Sequence, residues 1–186
     1  VLGGFYVFSY PPSGSQLNRF SPDPNASYSL GTLTVTFSRP VTNPRLHFSN
    51  MGSWAGYGPY PGNQNYYQYA SLMLELTNGA TGGSGDMTLV SNYLKIEDQN
   101  GSAPQGLRIS PAIARAREGC SFDASMSAGC GTVIFNGTYT QLTFKTTLNR
   151  TACDNGCSFL VDDTPGKGPA IFDEFKLTVS LDEDLG

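Results

Sequence analysis

Apolar residues recur at every second position along most of this chain, and that period limits what it can fold into. In residues 32–38 (TLTVTFS), Leu33, Val35 and Phe37 alternate with hydroxyl side chains. The same spacing returns at Leu72, Leu74 and Leu76, at Leu94 and Ile96, across residues 132–135 and 139–146, and at Phe175, Leu177, Val179 and Leu181. A strand sends successive side chains to opposite faces, so this pattern predicts half-buried strands. Residues 4–9 read as an N-terminal strand and residues 158–161 as a short one. Breaks fall at glycine and proline clusters: residues 10–14, 22–25, 39–40, 43–44, 79–85 and 165–169. Asn136-Gly137 reads as a hairpin turn. The best helix candidate, residues 112–118, is barely two turns, and a parallel sheet needs helical crossovers of a dozen residues or so. The expectation is all-β: an antiparallel two-sheet β-sandwich of the jelly-roll kind, with at most that short helix.

With 186 residues the chain suits one domain. We place it at residues 1–181, with the acidic residues 182–186 starting a linker or tail. Eleven Lys and Arg against a net charge of −4 speak against a nucleic-acid partner. The apolar runs are a few residues long, too short for a helical membrane span. Four cysteines, Cys120, Cys130, Cys153 and Cys157, sit in turn-like surroundings. Their spacing matches no common zinc knuckle, whereas two disulfides closing local loops suit an oxidising compartment. Three connectivities exist. Cys120–Cys130 with Cys153–Cys157 is favoured because each pair brackets its own loop. Four Asn-x-Ser/Thr sequons (Asn25, Asn100, Asn136 and Asn149) are compatible with the same extracellular, cell-surface location.

Catalysis finds little support. The single histidine, His47, has the opposite strand parity to Leu46 and Phe48 and reads as a hydrogen-bonded sheet residue. No Gly-x-Ser-x-Gly elbow accompanies it. Carboxylates for glycoside cleavage are available (Glu75, Glu97, Asp98, Asp123, Asp173, Glu174), but their spacing picks out no pair. We read the chain as a non-enzyme.

Two constellations suggest binding. Asp162 and Asp163 precede a Pro-Gly-Lys-Gly-Pro loop that leads back to Asp173 and Glu174. Asp173 shares the core parity of Phe175 and needs partners there. Oxygen-rich loop edges of this kind can hold Ca2+; the plainer reading, aspartates capping turns, ranks ahead. Residues 50–69 hold the only Trp, five of the ten Tyr, four Gly, two Pro and no charge. As a loop, Trp54, Tyr57, Tyr60, Tyr66, Tyr67 and Tyr69 would offer flat faces to a sugar or peptide, with Asn63 and Asn65 as hydrogen-bonding partners. The competing reading is a loop whose rings pack on one another over one end of the sandwich.

Residues 34–49 (TVTFSRPVTNPRLHFS) resemble a module of large bacterial surface proteins and adhesins, in which a strand ending Phe-Ser-x-Pro-Val-x-Asn-Pro leads into one carrying Leu-His-Phe. Residues 171–179 (IFDEFKLTV) are similar to the closing strand of lectin-like jelly rolls, and residues 182–186 to the lead-in to the repeats that follow such modules. The resemblance covers about a quarter of the chain, and the four cysteines depart from the family's pattern. It implies an extracellular β-sandwich within a longer adhesin that binds a glycan or peptide on another surface, sometimes through calcium. The alternative is a self-assembling structural or filament subunit whose partners are copies of itself, joined through the apolar strand at residues 5–8.

Overall fold

The computed structural model describes residues 2–9, 27–60, 64–77, 86–90, 93–98, 107–113, 120, 128–153 and 173–181. Eleven strands lie among them, and no helix: β1 (Leu2–Ser9), β2 (Ser27–Thr42), β3 (Arg45–Met51), β4 (Ser53–Tyr60), β5 (Gln64–Leu76), β6 (Met87–Leu89), β7 (Leu94–Asp98), β8 (Leu107–Pro111), β9 (Gly129–Phe135), β10 (Thr138–Cys153) and β11 (Asp173–Ser180). They form two antiparallel sheets. One is five-stranded, in the order β1-β11-β3-β9-β6; the other is six-stranded, in the order β2-β10-β5-β8-β7, with β4 added on β5. β5 shares one edge between two partners, residues 64–70 meeting β4 and residues 74–75 meeting β8.

The pairings are nested: β1 with β11, β2 with β10, β3 with β9 and β5 with β8. A long antiparallel ribbon wrapped on itself produces this order, so the sandwich is a jelly roll, as the alternation predicted. The core lies between the sheets. Leu46, Phe48, Val133, Phe135, Phe175, Leu177 and Val179 from one sheet meet Val35, Leu72, Leu74, Leu76, Leu94, Ile109, Leu142 and Phe144 from the other. All but Ile109, whose strand alternation did not reveal, have the parity that the sequence assigns to the buried face. Each strand commits its alternate residues to the core, and a one-residue slip would expose them all.

Local signals meant something different from expectation at two places. Asn136-Gly137 does turn the chain, with Gly137 at φ 117°, but β9 and β10 belong to different sheets. The turn is a corner between layers and not a hairpin. It is locked to a second corner, Asn43-Pro44, where β2 passes into β3. The Asn43 N–H donates to the Gly137 carbonyl at 2.7 Å. The Gly137 N–H donates back to Asn43 Oδ1 at 2.8 Å, and the Phe135 N–H donates to the Pro44 carbonyl at 3.0 Å. Asn43 takes a positive φ of 49°, a conformation asparagine tolerates better than most residues. Arg39-Pro40, read as a break, lies inside β2. The register against β10 shifts between Tyr139 and Gln141 there, and a proline fits a strand at such an irregularity on a sheet edge.

β6 and β8, at three and five residues, are too short for alternation to reveal. Of the helix candidate, Ala112 and Ile113 form a bend and residues 114–118 lie outside the described residues, as does the expected strand at 158–161. At Gly129, where β9 begins, a Cβ would come 2.9 Å from Leu94 Cδ2 and 3.1 Å from the Met51 carbonyl oxygen, so glycine keeps this crossing close.

Candidate functional site

The aromatic segment is a β-hairpin, not a loop. β4 pairs antiparallel with the first half of β5, setting Trp54 opposite Tyr69, Ala55 opposite Gln68, Gly56 opposite Tyr67, Tyr57 opposite Tyr66 and, after a register shift, Tyr60 opposite Gln64. Aromatic residues favour strands, and here that preference outweighs the glycines. Pro59 falls within the shift, where the ladder is already irregular. Directly opposed residues share a face. The register therefore divides the expected binding set, with Trp54, Tyr67 and Tyr69 on one face and Tyr57 and Tyr66 on the other.

Tyr69, one of the expected binding residues, is buried, at 2% exposure. By parity it belongs with Ser71 and Met73 on the side of the six-stranded sheet that faces away from the core. Ser71 (1%), Met73 (7%) and Ser110 (0%) are buried as well. The outer face is thus covered at these four positions, which alternation alone could not foretell. Asn149 donates from Nδ2 to Met73 Sδ at 3.1 Å, so this sequon asparagine is engaged in the same patch. Asn136, in another sequon, donates from Nδ2 to Thr88 Oγ1 at 2.9 Å. Asn63 lies outside the described residues, and Asn65 is on β5, one position before Tyr66.

Further along the same outer face the sheet carries alternating charge. Lys145 stands opposite Glu75, Glu75 opposite Arg108 and Arg108 opposite Glu97. Glu97 accepts from Lys95 Nζ at 2.6 Å and from Arg108 Nη2 at 2.7 Å. Burial pushes its carboxyl up, but the two cations more than offset this and hold it below the ordinary value of 4.5. Half-exposed pairs of this kind add about 1 kcal/mol at most and chiefly fix the β7–β8 register. The Arg108 Nε and Ser110 Oγ atoms beside them are buried with no hydrogen-bond partner among the described residues.

On the five-stranded sheet His47 faces away from the core, as its parity predicted, and ties three strands together. Nδ1 meets Thr132 Oγ1 of β9 at 2.8 Å, and Nε2 meets Ser180 Oγ of β11 at 2.6 Å. A hydroxyl donates or accepts, so the neutral ring keeps both bonds. Burial, and then the charge of Arg45, lower its pKa from 6.5. The unfolded chain therefore takes up the proton first. The stability this ring contributes is present in full above about pH 6.5 and is lost as pH falls from there to the folded value. Urea unfolding at about pH 7.5 and about pH 5.5 should show a larger loss for the native chain than for His47→Gln. Equal losses would mean the ring is not linked to folding.

Cys120 and Cys130 form a disulfide with Cα atoms 5.8 Å apart, the first of the two expected pairs. Cys153 ends β10, and Cys157 lies outside the described residues. Asp162 and Asp163 also lie outside them. Asp173 and Glu174 open β11, opposite Ser9 and Phe8. Among the described residues no three His, Cys, Asp or Glu side chains gather as a metal site. Comparison with protein-family models, curated proteins and solved structures finds no match to this chain.

Proposed function

We propose that this chain is a non-catalytic, extracellular binding module of a cell-surface adhesin, which recognises a glycan or a peptide through the β4–β5 hairpin. One observation carries the reading. The richest aromatic segment of the sequence supplies β4, the sixth strand of the larger sheet, which has a partner on one side only among the described residues. An aromatic residue on a hydrogen-bonded strand loses less entropy when a ligand stacks on it than one on a free loop. The register leaves Trp54, Tyr57, Tyr66 and Tyr67 as the candidate contact residues on its two faces. The likeness of residues 34–49 to an adhesin module and of residues 171–179 to the closing strand of lectin-like jelly rolls supports the same reading.

The test is binding of the 186-residue chain to glycan and peptide arrays, followed by titration of the best probe. Trp54→Ala combined with Tyr57→Ala, which removes one ring from each face, should weaken that titration by roughly a hundredfold or more while leaving the melting temperature near the native value. Unchanged affinity in the folded double variant would move the site off the hairpin.

Calcium belongs to this proposal through Asp162, Asp163, Asp173 and Glu174. A cation held only by the folded chain raises the unfolding free energy by about 2.7 kcal/mol at a hundred times its dissociation constant. Thermal melts in calcium and in chelator should then separate. Coincident melts would leave those carboxylates as turn caps.

Self-assembly through the N-terminal strand is the weaker reading, because β1 already pairs with β11 along its length within the same chain.

A further inference from the structure

We infer that the edge of β2, which has a partner on one side only among the described residues, is a pairing site for the β2 strand of a second copy of this chain, joined antiparallel about a two-fold axis centred on Thr34. The inference does not rest on the aromatic hairpin and stands or falls separately from it.

Every sheet edge is a row of unpaired N–H and C=O groups, and proteins that remain single blunt those rows with charge, proline, bulges or brevity. Among the described residues five strands lie at sheet edges, and four of them are blunted or half the length of β2 or less. β6 is three residues long. β7 carries Lys95, Glu97 and Asp98 within five residues. β4 contains Pro59 and a register shift. β1 begins with a register shift between Leu2 and Gly4.

β2 is different. It spans sixteen residues at the end of the six-stranded sheet, and residues 27–38 hold no charge and no proline. Its irregularities against β10 lie at either side of a regular run, Gly31–Thr36. Thr32, Thr34 and Thr36 in that run are exposed. On the opposite face Leu30, Leu33 and Phe37 pack against the core but are only partly buried. The sandwich closes on its far side, where β6 and β7 approach one another, while β1 and β2 make no comparable approach among the described residues. A strand added to β2 would therefore satisfy the backbone row and cover apolar surface in one step.

The sequence says which strand fits. Antiparallel pairing of β2 with itself about Thr34 sets Thr34 against Thr34, Thr32 against Thr36 and Leu33 against Val35. Hydroxyl side chains then meet on the outer face and apolar ones on the core face. Over residues 31–37 the strand is its own complement, with no charge to repel and no parity broken. Such a contact is isologous and closes at two copies.

Sedimentation velocity of the full chain over about 1 µM to about 1 mM, the range expected for a short two-strand seam, tests the proposal. The native chain should pass from monomer to dimer. Thr34→Lys and Thr34→Glu each place like charges directly opposite across the axis and should weaken the dimer roughly tenfold or more. Mixing the two variants should restore it, because lysine then faces glutamate. Circular dichroism confirms that both variants fold, which their exposed position favours. A native chain that stays monomeric throughout overturns the proposal. So does a dimer indifferent to both charges, or a mixture no tighter than either variant alone.

Discussion

Truncating Phe144 to alanine should lower the stability of this chain by about 3–5 kcal/mol, the largest effect expected from any single side chain described above. The residue is fully buried in β10. Its ring meets Phe135 of the opposite sheet edge-on, at 5.6 Å between centroids and 72° between planes. Phe135 in turn meets Tyr139 at 6.4 Å and 88°. The three rings join the two sheets beside the locked corner at Asn136-Gly137, and Tyr139 secures that corner by donating from its hydroxyl to the Asn136 carbonyl at 3.0 Å. Losing the Phe144 ring removes its transfer free energy, opens a cavity and strips Phe135 of an edge-to-face partner across the sheets. In a chain of this size the melting temperature should fall by roughly 10 °C or more. Lys145→Ala, one residue along on the exposed face, should change stability by less than about 0.5 kcal/mol. A Phe144→Ala variant melting within a few degrees of the native chain would contradict the packing described.

The second large effect concerns the disulfide. Breaking Cys120–Cys130 through Cys130→Ser should cost about 2–3 kcal/mol, because the bond closes a short segment, with a sequence separation of 10. Cys130 is itself buried at 8% exposure, and its sulfur accepts from the Asn50 N–H at 3.4 Å where β3 ends. The bond therefore ties the start of β9 to the strand beside it as well as restricting the unfolded chain. Thermal melts of the native chain and of Cys130→Ser, both without reductant, should differ by about 5–10 °C. Coincident melts would show that the bond constrains a segment already free to move in the native state.

These two effects differ in how far they were legible beforehand. Phe144 as a core residue follows from the alternation of residues 139–146 alone. So do Leu46 and Phe48 inside with His47 outside, and Phe175, Leu177 and Val179 on one face of the last strand. Cys120–Cys130 was the favoured pairing on proximity, with two other connectivities open until the backbone brought the residues together.

The candidate site was legible as composition but not as shape. The only tryptophan and half of the tyrosines crowd into residues 50–69, and that concentration marks the segment without its partner strand. Glycine and proline suggested a loop. Pairing with β5 made it a hairpin and split its rings between two faces, and Tyr69 is buried. The charge row from Lys145 to Glu97 and the hydroxyl clamp on His47 were invisible for the same reason. Each joins residues far apart in sequence, and only sheet order makes them neighbours.

By itself the sequence determined that this chain forms antiparallel strands, which face its longer strands turn to the core, and that the backbone turns at Asn43-Pro44 and Asn136-Gly137. All three follow from side-chain parity and the φ preferences of glycine, proline and asparagine, which act within a few residues. Only the tertiary structure decided which sheet each strand joins. Asn136-Gly137 has the same local chemistry in a hairpin as in a corner between layers. The choice lies with the long-range ladders β2·β10 and β3·β9, whose energy comes from registering whole apolar faces against one another across the core.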